Sequence, residues 1–414
     1  MRMSKDDYVS NFIRSTLGLQ INCDIVLSSS VVGTVIEHLS GSKSPEQAFD
    51  APVNNVLNAM NSKMLDERLG SGKPFVRKAQ WPEGVNFAAA LTHDADRLTA
   101  PLSHVMKVRK RFPFYLIIKR ILSLDDPYWN IKKIVSMEDA LNLTSSFYLL
   151  VHDYSLKGKR EYIRSIAKNG WDIGLHGSFE THESATRMLE DVDAFEKEIG
   201  QKPRGIREHF LKFDPSKTWQ IMEELGFLYD TTWGFNQKPG FRAGVCLPYH
   251  PPSSDFRTLN ILELPLILMD TSLWGYMHLD EEEGFTEVEG AVSRVKEQKG
   301  LFTLLWHQEA VQMRGGRLYS RILIHLAREN CFVSNAEKIA EWWLNRERSE
   351  MQEIEQGKFF NYLIQPKDKR LVIDADCPKG YKIKVQGDCR IISSSVSSAR
   401  ISAYGEGKII IEVP

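Results

Sequence analysis

The stretch Phe87-Ala88-Ala89-Ala90-Leu91-Thr92-His93-Asp94-Ala95-Asp96 decides how the rest of the chain is read. A short apolar run ends abruptly in a histidine and two acids. Such a run suits a strand buried on both faces, and the polar end of such a strand is where parallel α/β folds bind ligands. Asp94 and Asp96 stand one residue apart, so in an extended segment they point the same way. One carboxylate can then hold a divalent metal while the other takes a proton from water. A solvated loop of acids after a strand is the plainer alternative.

Outward from this stretch, strand-like runs alternate with helical patterns. The runs are Phe87–Leu91, Ser146–Val151, Trp171–Leu175, Gly205–Phe210, Leu228–Thr232, Ile261–Leu266 and Leu301–Trp306. Helical spacing marks Lys159–Lys168, Glu183–Ile199, Pro215–Leu225 and Glu287–Gln298, each closed by a glycine within two residues. Two more helices are predicted over Arg317–Glu329 and Ser334–Glu350. Seven strand–helix units predict an α/β barrel across 86–356. Residues 1–85 read as a small N-terminal α/β region, with apolar runs at Ile21–Leu27 and Val31–Leu39 and a boundary at Trp81-Pro82-Glu83-Gly84. The tail 357–414 carries short strand-like runs punctuated by Gly380, Gly387, Gly405 and Gly407, and predicts a small β-domain.

Composition narrows the function classes. The formal net charge of −1 gives no bulk attraction to nucleic acid or to a membrane, and no apolar run is long enough to span a membrane. No apolar signal-peptide core follows the N-terminus, so the expected location is the cytoplasm. Five scattered cysteines without a CxxC predict neither a thiolate zinc site nor a disulfide framework; Cys377 and Cys389 are expected to be free. The basic, apolar segment Val108–Arg120 is interrupted by Pro113 and reads as a core segment with a solvated basic flank.

The strand ends recur in one chemistry: His93, Asp94 and Asp96; His152 and Asp153; His176 to His182; Arg207, Glu208 and His209; Asp230 and Trp233; His307, Gln308 and Glu309. A lone histidine at a strand end is more often a hydrogen-bonded structural residue than a ligand. A barrel, however, gathers all these ends on one rim.

These residues resemble the polysaccharide deacetylase (NodB-homology) superfamily over residues 86–310. Asp94-Ala95-Asp96 resembles the D-x-D form of its first motif, and His176 matches the first of the two histidines of its second. Glu180 stands where the other histidine belongs, and His182 follows two residues later. Arg207 and Phe210 match the third motif, R-x-P-[YF], with His209 in place of proline. Leu304-Leu305-Trp306-His307 is similar to the last, L-x-L-H. The pattern is most similar to a branch with a T-H-D-x-D opening and an R-x-H third motif.

The resemblance implies a distorted (β/α)7 barrel and a metal-dependent hydrolase of a carbon–nitrogen (amide) bond. Its expected reaction is de-N-acetylation of an amino sugar or sugar precursor, with an N-acylated carbohydrate as substrate. Asp94 would be the base and His307 the acid, and Arg207 would orient Asp94 and favour its charged form. Asp96 and His176 would bind a divalent metal, with zinc expected. The third ligand stays open among His209, His182 and Glu180, with His209 favoured over His182 because it sits in a strand-end motif. Phe210, Trp233, Trp274 and Trp306 would contact the substrate, although nine tryptophans leave a core role open for each. The broken second motif favours one competitor, a non-catalytic carbohydrate-binding relative of the same fold.

Overall fold

The computed structural model describes residues 3–20, 25–82, 84–313 and 316–414. Cys23, the start of the Ile21–Leu27 run and Glu83 of the expected boundary lie outside the described residues.

The chain opens on three helices, α1 (Lys5–Leu17), α2 (Ser29–Leu39) and α3 (Pro52–Gly70), and one strand, β1 (Phe75–Lys78). Ser4 and Asp7 form a capping box that starts α1, and Gly18 ends it at a φ of 70°. The apolar faces of these helices belong to the main core, through Tyr8, Val9, Ile13, Val35, Leu39 and Leu57. The Val31–Leu39 run is therefore a core-facing helix.

The central element is β2 (Phe87–Ala95), with every residue buried. Helices α4 (Leu102–Lys107), α5 (Phe114–Ile121) and α6 (Ile131–Asp139) follow it. The alternation continues through β3 (Ser146–Leu149), α7 (Arg160–Lys168), β4 (Asp172–Gly177), α8 (Ala185–Ile199), β5 (Gly205–Glu208) and α9 (Thr218–Glu224). Then come β6 (Tyr229–Asp230), β7 (Leu262–Glu263), β8 (Leu266–Met269), α10 (Glu281–Glu297), β9 (Leu301–Leu305), α11 (Arg317–Arg328), β10 (Cys331–Ser334) and α12 (Ala336–Arg348). The strands form one parallel sheet in the order β7-β6-β5-β4-β3-β2-β9-β8, with β10 added to β2. The first half of β2 pairs with β10 and β9, and its second half with β3.

The sheet curls into an open, distorted barrel. Tyr148 on β3 and Tyr229 on β6 share a hydrogen bond of 3.0 Å between hydroxyls, although their strands are three places apart. In a flat sheet that separation would be about 14 Å. Gly205 makes room for the ring, since a Cβ there would fall 1.9 Å from Tyr229. All seven expected strands are present. Ile261–Leu266 is divided, because Pro265 cannot donate to a ladder, and the second piece, β8, runs on to Met269.

The C-terminal strands β11 (Glu350–Gln356), β12 (Phe359–Gln365), β13 (Leu371–Asp376), β14 (Lys382–Ser394) and β15 (Ser398–Glu412) form an antiparallel sheet that also takes in β1. It has its own core, around Tyr362, Ile373, Ile401 and Ile409. The four described cysteines are free.

Arg346 on α12 ties these parts together. Its buried guanidinium donates to the carbonyls of Ser15, Thr16 and Ala79 at 2.8 Å each. Burial lowers its pKa to about 10, which leaves it charged at neutral pH. Arg346→Met removes the donors from these three acceptors, at about 1 kcal/mol for each, and from the longer bond to the Lys78 carbonyl at 3.3 Å. A stability loss of about 3 kcal/mol in urea unfolding is expected; a loss within error of zero would remove Arg346 from this role.

Candidate active site

The period of two along β2 sorts its polar residues. Thr92, Asp94 and Asp96 share one side, and His93 takes the other. There the His93 ring bonds the Trp306 carbonyl at 2.7 Å and meets Glu138 and Tyr319 at 3.0 Å each, buried throughout. His93 is thus a structural residue. Asp94 and Asp96 face a cleft of about 670 Å³ at the strand ends, where His176, His209, His307 and Phe210 also converge.

Asp96, His176 and His209 each place one ligand atom within 4.8 Å of the other two. His176 Nδ1 lies 2.8 Å from the Arg207 carbonyl. A carbonyl only accepts, so Nδ1 carries the proton and the lone pair of a neutral ring sits on Nε2. That Nε2 faces Asp96 Oδ1 at 3.2 Å and Asp94 Oδ2 at 3.7 Å. A lone pair aimed at carboxylates repels them unless a cation intervenes or the ring is protonated. Burial works against the charged ring, but Asp94 and Asp96 outweigh it and raise the His176 pKa. Burial likewise opposes the charge on Asp96, yet His176, His209 and His307 hold its pKa well below the usual carboxylate range. His209 Nε2 completes the group, 3.8 Å from Asp96 Oδ2. Neighbouring ligands of a tetrahedral zinc lie about 3.3 Å apart, given bonds of about 2.0 Å, so small side-chain adjustments would seat an ion here.

Arg207 is completely buried and lies 3.7 Å from Asp94 Oδ1. Its guanidinium donates to the hydroxyls of Thr92 and Thr231 at 2.9 and 2.8 Å, and stacks over Tyr148. On the other flank, His307 Nδ1 donates to Asp270 Oδ1 at 2.7 Å, and the His307 backbone N–H donates to Asp270 Oδ2 at 2.9 Å. Its Nε2 is turned inward, 3.8 Å from Asp96. Burial opposes the charged ring, but Asp270 and then Asp96 carry the His307 pKa well above its ordinary value. Glu309 also lines the cleft, its pKa pushed up to about 8 by burial and by Asp96.

Several predicted residues fall elsewhere. Trp233 and Trp306 are 2% and 0% exposed, so neither offers a face to the cleft. Trp233 packs against Phe213 and Trp219, while Trp306 backs Trp274 edge-on at 5.0 Å; Trp274 is the one that lines the cleft. His182 is outside the donor group, with Nε2 4.0 Å from Glu183, and Glu180 pairs with Arg187 at 3.4 Å. Phe210 stands at the mouth, stacked on His209 with ring centroids 3.9 Å apart. It and Leu211 adopt positive φ angles of 58° and 52°, unusual for such side chains and concentrated where β5 meets the site.

Asp270 and Glu309 were not assigned roles from the sequence. Asp270 bears the same signal as Asp94, an acid directly after an apolar run, but the strand expected there ends at Leu266.

No family model matches the chain, and no curated protein matches it. Among solved structures, the fold is similar to a protein assigned as a polysaccharide deacetylase from Mycobacterium smegmatis, at 19% identity and a TM-score of 0.48, covering 68% of this chain and 98% of that one. A protein from Pseudomonas aeruginosa with the same assignment matches at 17% identity and a TM-score of 0.48, covering 66% and 95%. A CE4 family pseudoenzyme from Bacillus anthracis matches at 9% identity and a TM-score of 0.36, covering 62% and 66%.

The donor geometry makes a direct prediction. In calorimetric titration with zinc, His209→Ala should weaken binding by at least about tenfold, as loss of a ligand does, while His182→Ala should match the parent. The reverse pattern would move the third donor to the loop.

Proposed function

We propose that the chain is a metal-dependent amide hydrolase that removes the acyl group from an N-acylated carbohydrate. The observation that carries this reading is the arrangement of a carboxylate and a hydrogen-bonded histidine on two flanks of one three-donor cluster. Asp94 and His307 both face the group formed by Asp96, His176 and His209. Two imidazoles and one carboxylate, with space left for substrate, suit a catalytic zinc better than a structural one. A bound divalent ion would polarise the acyl carbonyl and make water a better nucleophile.

The protein's own groups account for the proton movements. Asp94 accepts a proton from water as the water oxygen attacks the acyl carbon. Arg207, buried beside it, fixes its position and supplies positive charge. The C–N bond then breaks, and His307 Nε2–H protonates the departing nitrogen, giving a free amine and a carboxylic acid. Asp270 holds the opposite ring nitrogen, which sets the orientation that the acid needs. Phe210, Trp274 and Tyr276 offer aromatic surface at the mouth for the apolar faces of a sugar ring. A non-catalytic binding protein is the second reading, favoured by Glu180 standing in place of a histidine; His209 as the third donor weakens that objection.

Release of acetate from an N-acetyl sugar and from an aryl acetate tests the assignment. Asp94→Asn should keep bound metal and lose at least about 100-fold in rate on both substrates. His307→Gln should also keep metal, but lose more on the amide than on the ester, whose leaving group needs no proton. Equal losses would exclude His307 as the acid. A metal-loaded parent that cleaves neither substrate, yet binds the sugar, would establish the binding-protein reading instead.

A further inference from the structure

The Val108–Arg120 segment is the expected core segment with a solvated basic flank only in part, because a second apolar face is left uncovered. Pro113 precedes α5 and serves as its N-cap residue. One face of α5 is buried, with Leu116 and Ile117 joining Val105, Phe112 and Tyr128 in a small core of their own. Its other face is apolar and uncovered: Phe114, Tyr115, Ile118, Ile121 and Leu122 are 76%, 57%, 39%, 47% and 61% exposed. At about 100° per residue these five fall within one stripe about 120° wide. Leu102 and Met106 of α4 and Leu124 beyond α5 are exposed as well. Of twenty exposed large apolar residues among the described residues, eight lie between 102 and 124. Scattered exposed leucines need no explanation, but this concentration does.

The charge of the same segment is equally one-sided. Lys107, Arg109, Lys110, Arg111, Lys119 and Arg120 lie between 102 and 124, with no acid among them, in a chain whose net charge is −1. Of the six, only Arg120 has a carboxylate within ion-pair distance among the described residues, Asp126 at 3.7 Å. The segment also adjoins the active-site cleft. Arg111 and Met313 line the cleft, and Met313 packs against the small core beneath α4 and α5.

We propose that α4 and α5 form a docking face for an anionic lipid bilayer, which brings the mouth of the cleft to the membrane surface. An apolar stripe flanked by unpaired cations is the chemistry of a helix that lies among anionic headgroups: the stripe enters the acyl boundary and the cations meet lipid phosphates. A purely apolar partner would leave the cations unanswered, and a purely acidic one would leave the stripe in water. The docking does not depend on the hydrolysis proposed above.

Flotation of the full chain with lipid vesicles tests this directly. The parent should float with vesicles containing about 30 mol % phosphatidylglycerol, at least about tenfold more than with phosphatidylcholine alone. The triple variant Phe114→Ser, Ile118→Ser, Leu122→Ser alters only exposed positions. It should lose at least about tenfold in flotation while keeping its circular dichroism spectrum and its zinc affinity. Lys107→Gln with Lys110→Gln should reduce binding to the anionic vesicles and leave the weak binding to neutral ones unchanged. A parent that does not float, or a folded triple variant that floats equally well, would overturn the proposal. So would a parent dimer, seen by sedimentation velocity without flotation, that the triple variant converts to monomer; the face would then belong to a second copy.

Discussion

A guanidinium with no access to water sits at the top of the barrel. Burying Arg207 is costly unless its charge is answered, and the surrounding strands answer it in parts. Thr92 on β2 and Thr231 just after β6 accept its hydrogen bonds, Tyr148 on β3 lies under it, and Asp94 faces it. These partners come from strands spread across the sheet, so the charge can be accommodated only when the sheet curls. The same backbone anchors the site, because the Arg207 carbonyl fixes the tautomer of His176. One residue thereby couples closure of the fold to the direction in which His176 Nε2, the nitrogen that could hold a metal, points.

The remaining site follows from strand periodicity. Alternation on β2 sends Asp94 and Asp96 into the cleft and His93 to the helix side, where Glu138 and Tyr319 hold it. Two carboxylates on one face then meet different neighbours. Asp96 is surrounded by three imidazoles, whereas Asp94 shares only His176 with it and turns its other oxygen to a guanidinium. That difference in surroundings, not any difference between the side chains, underlies the proposed division between ligand and base.

Much of this could be read from residue order. The buried alanine-rich strand, the alternation of elements and the acids at strand ends all rest on local patterns, and the parallel barrel follows from them. Where the fold departs from local pattern, a non-local cause intervenes. Pro265 splits one apolar run into two strands, which hid Asp270 as a strand-end acid. Trp233 and Trp306 look like Trp274 in sequence, and only packing decides which ring reaches the cleft. For the third donor, residue order favours His209 over His182 and Glu180 by its strand-end position alone, and only the folded chain shows which of the three reaches Asp96 and His176. In the Phe114–Leu122 segment, apolar residues imply burial by default, and nothing local reveals that one stripe is left uncovered.

The division of labour between the two aspartates is the claim on which the functional account turns. X-ray absorption at the zinc edge, on the zinc-loaded chain and on Asp94→Asn, addresses it without reliance on turnover. The account predicts two imidazole nitrogens and at least one carboxylate oxygen at about 2.0–2.2 Å, with the same spectrum in the variant. A first shell that changes in Asp94→Asn, or that lacks the imidazole pair, would contradict it.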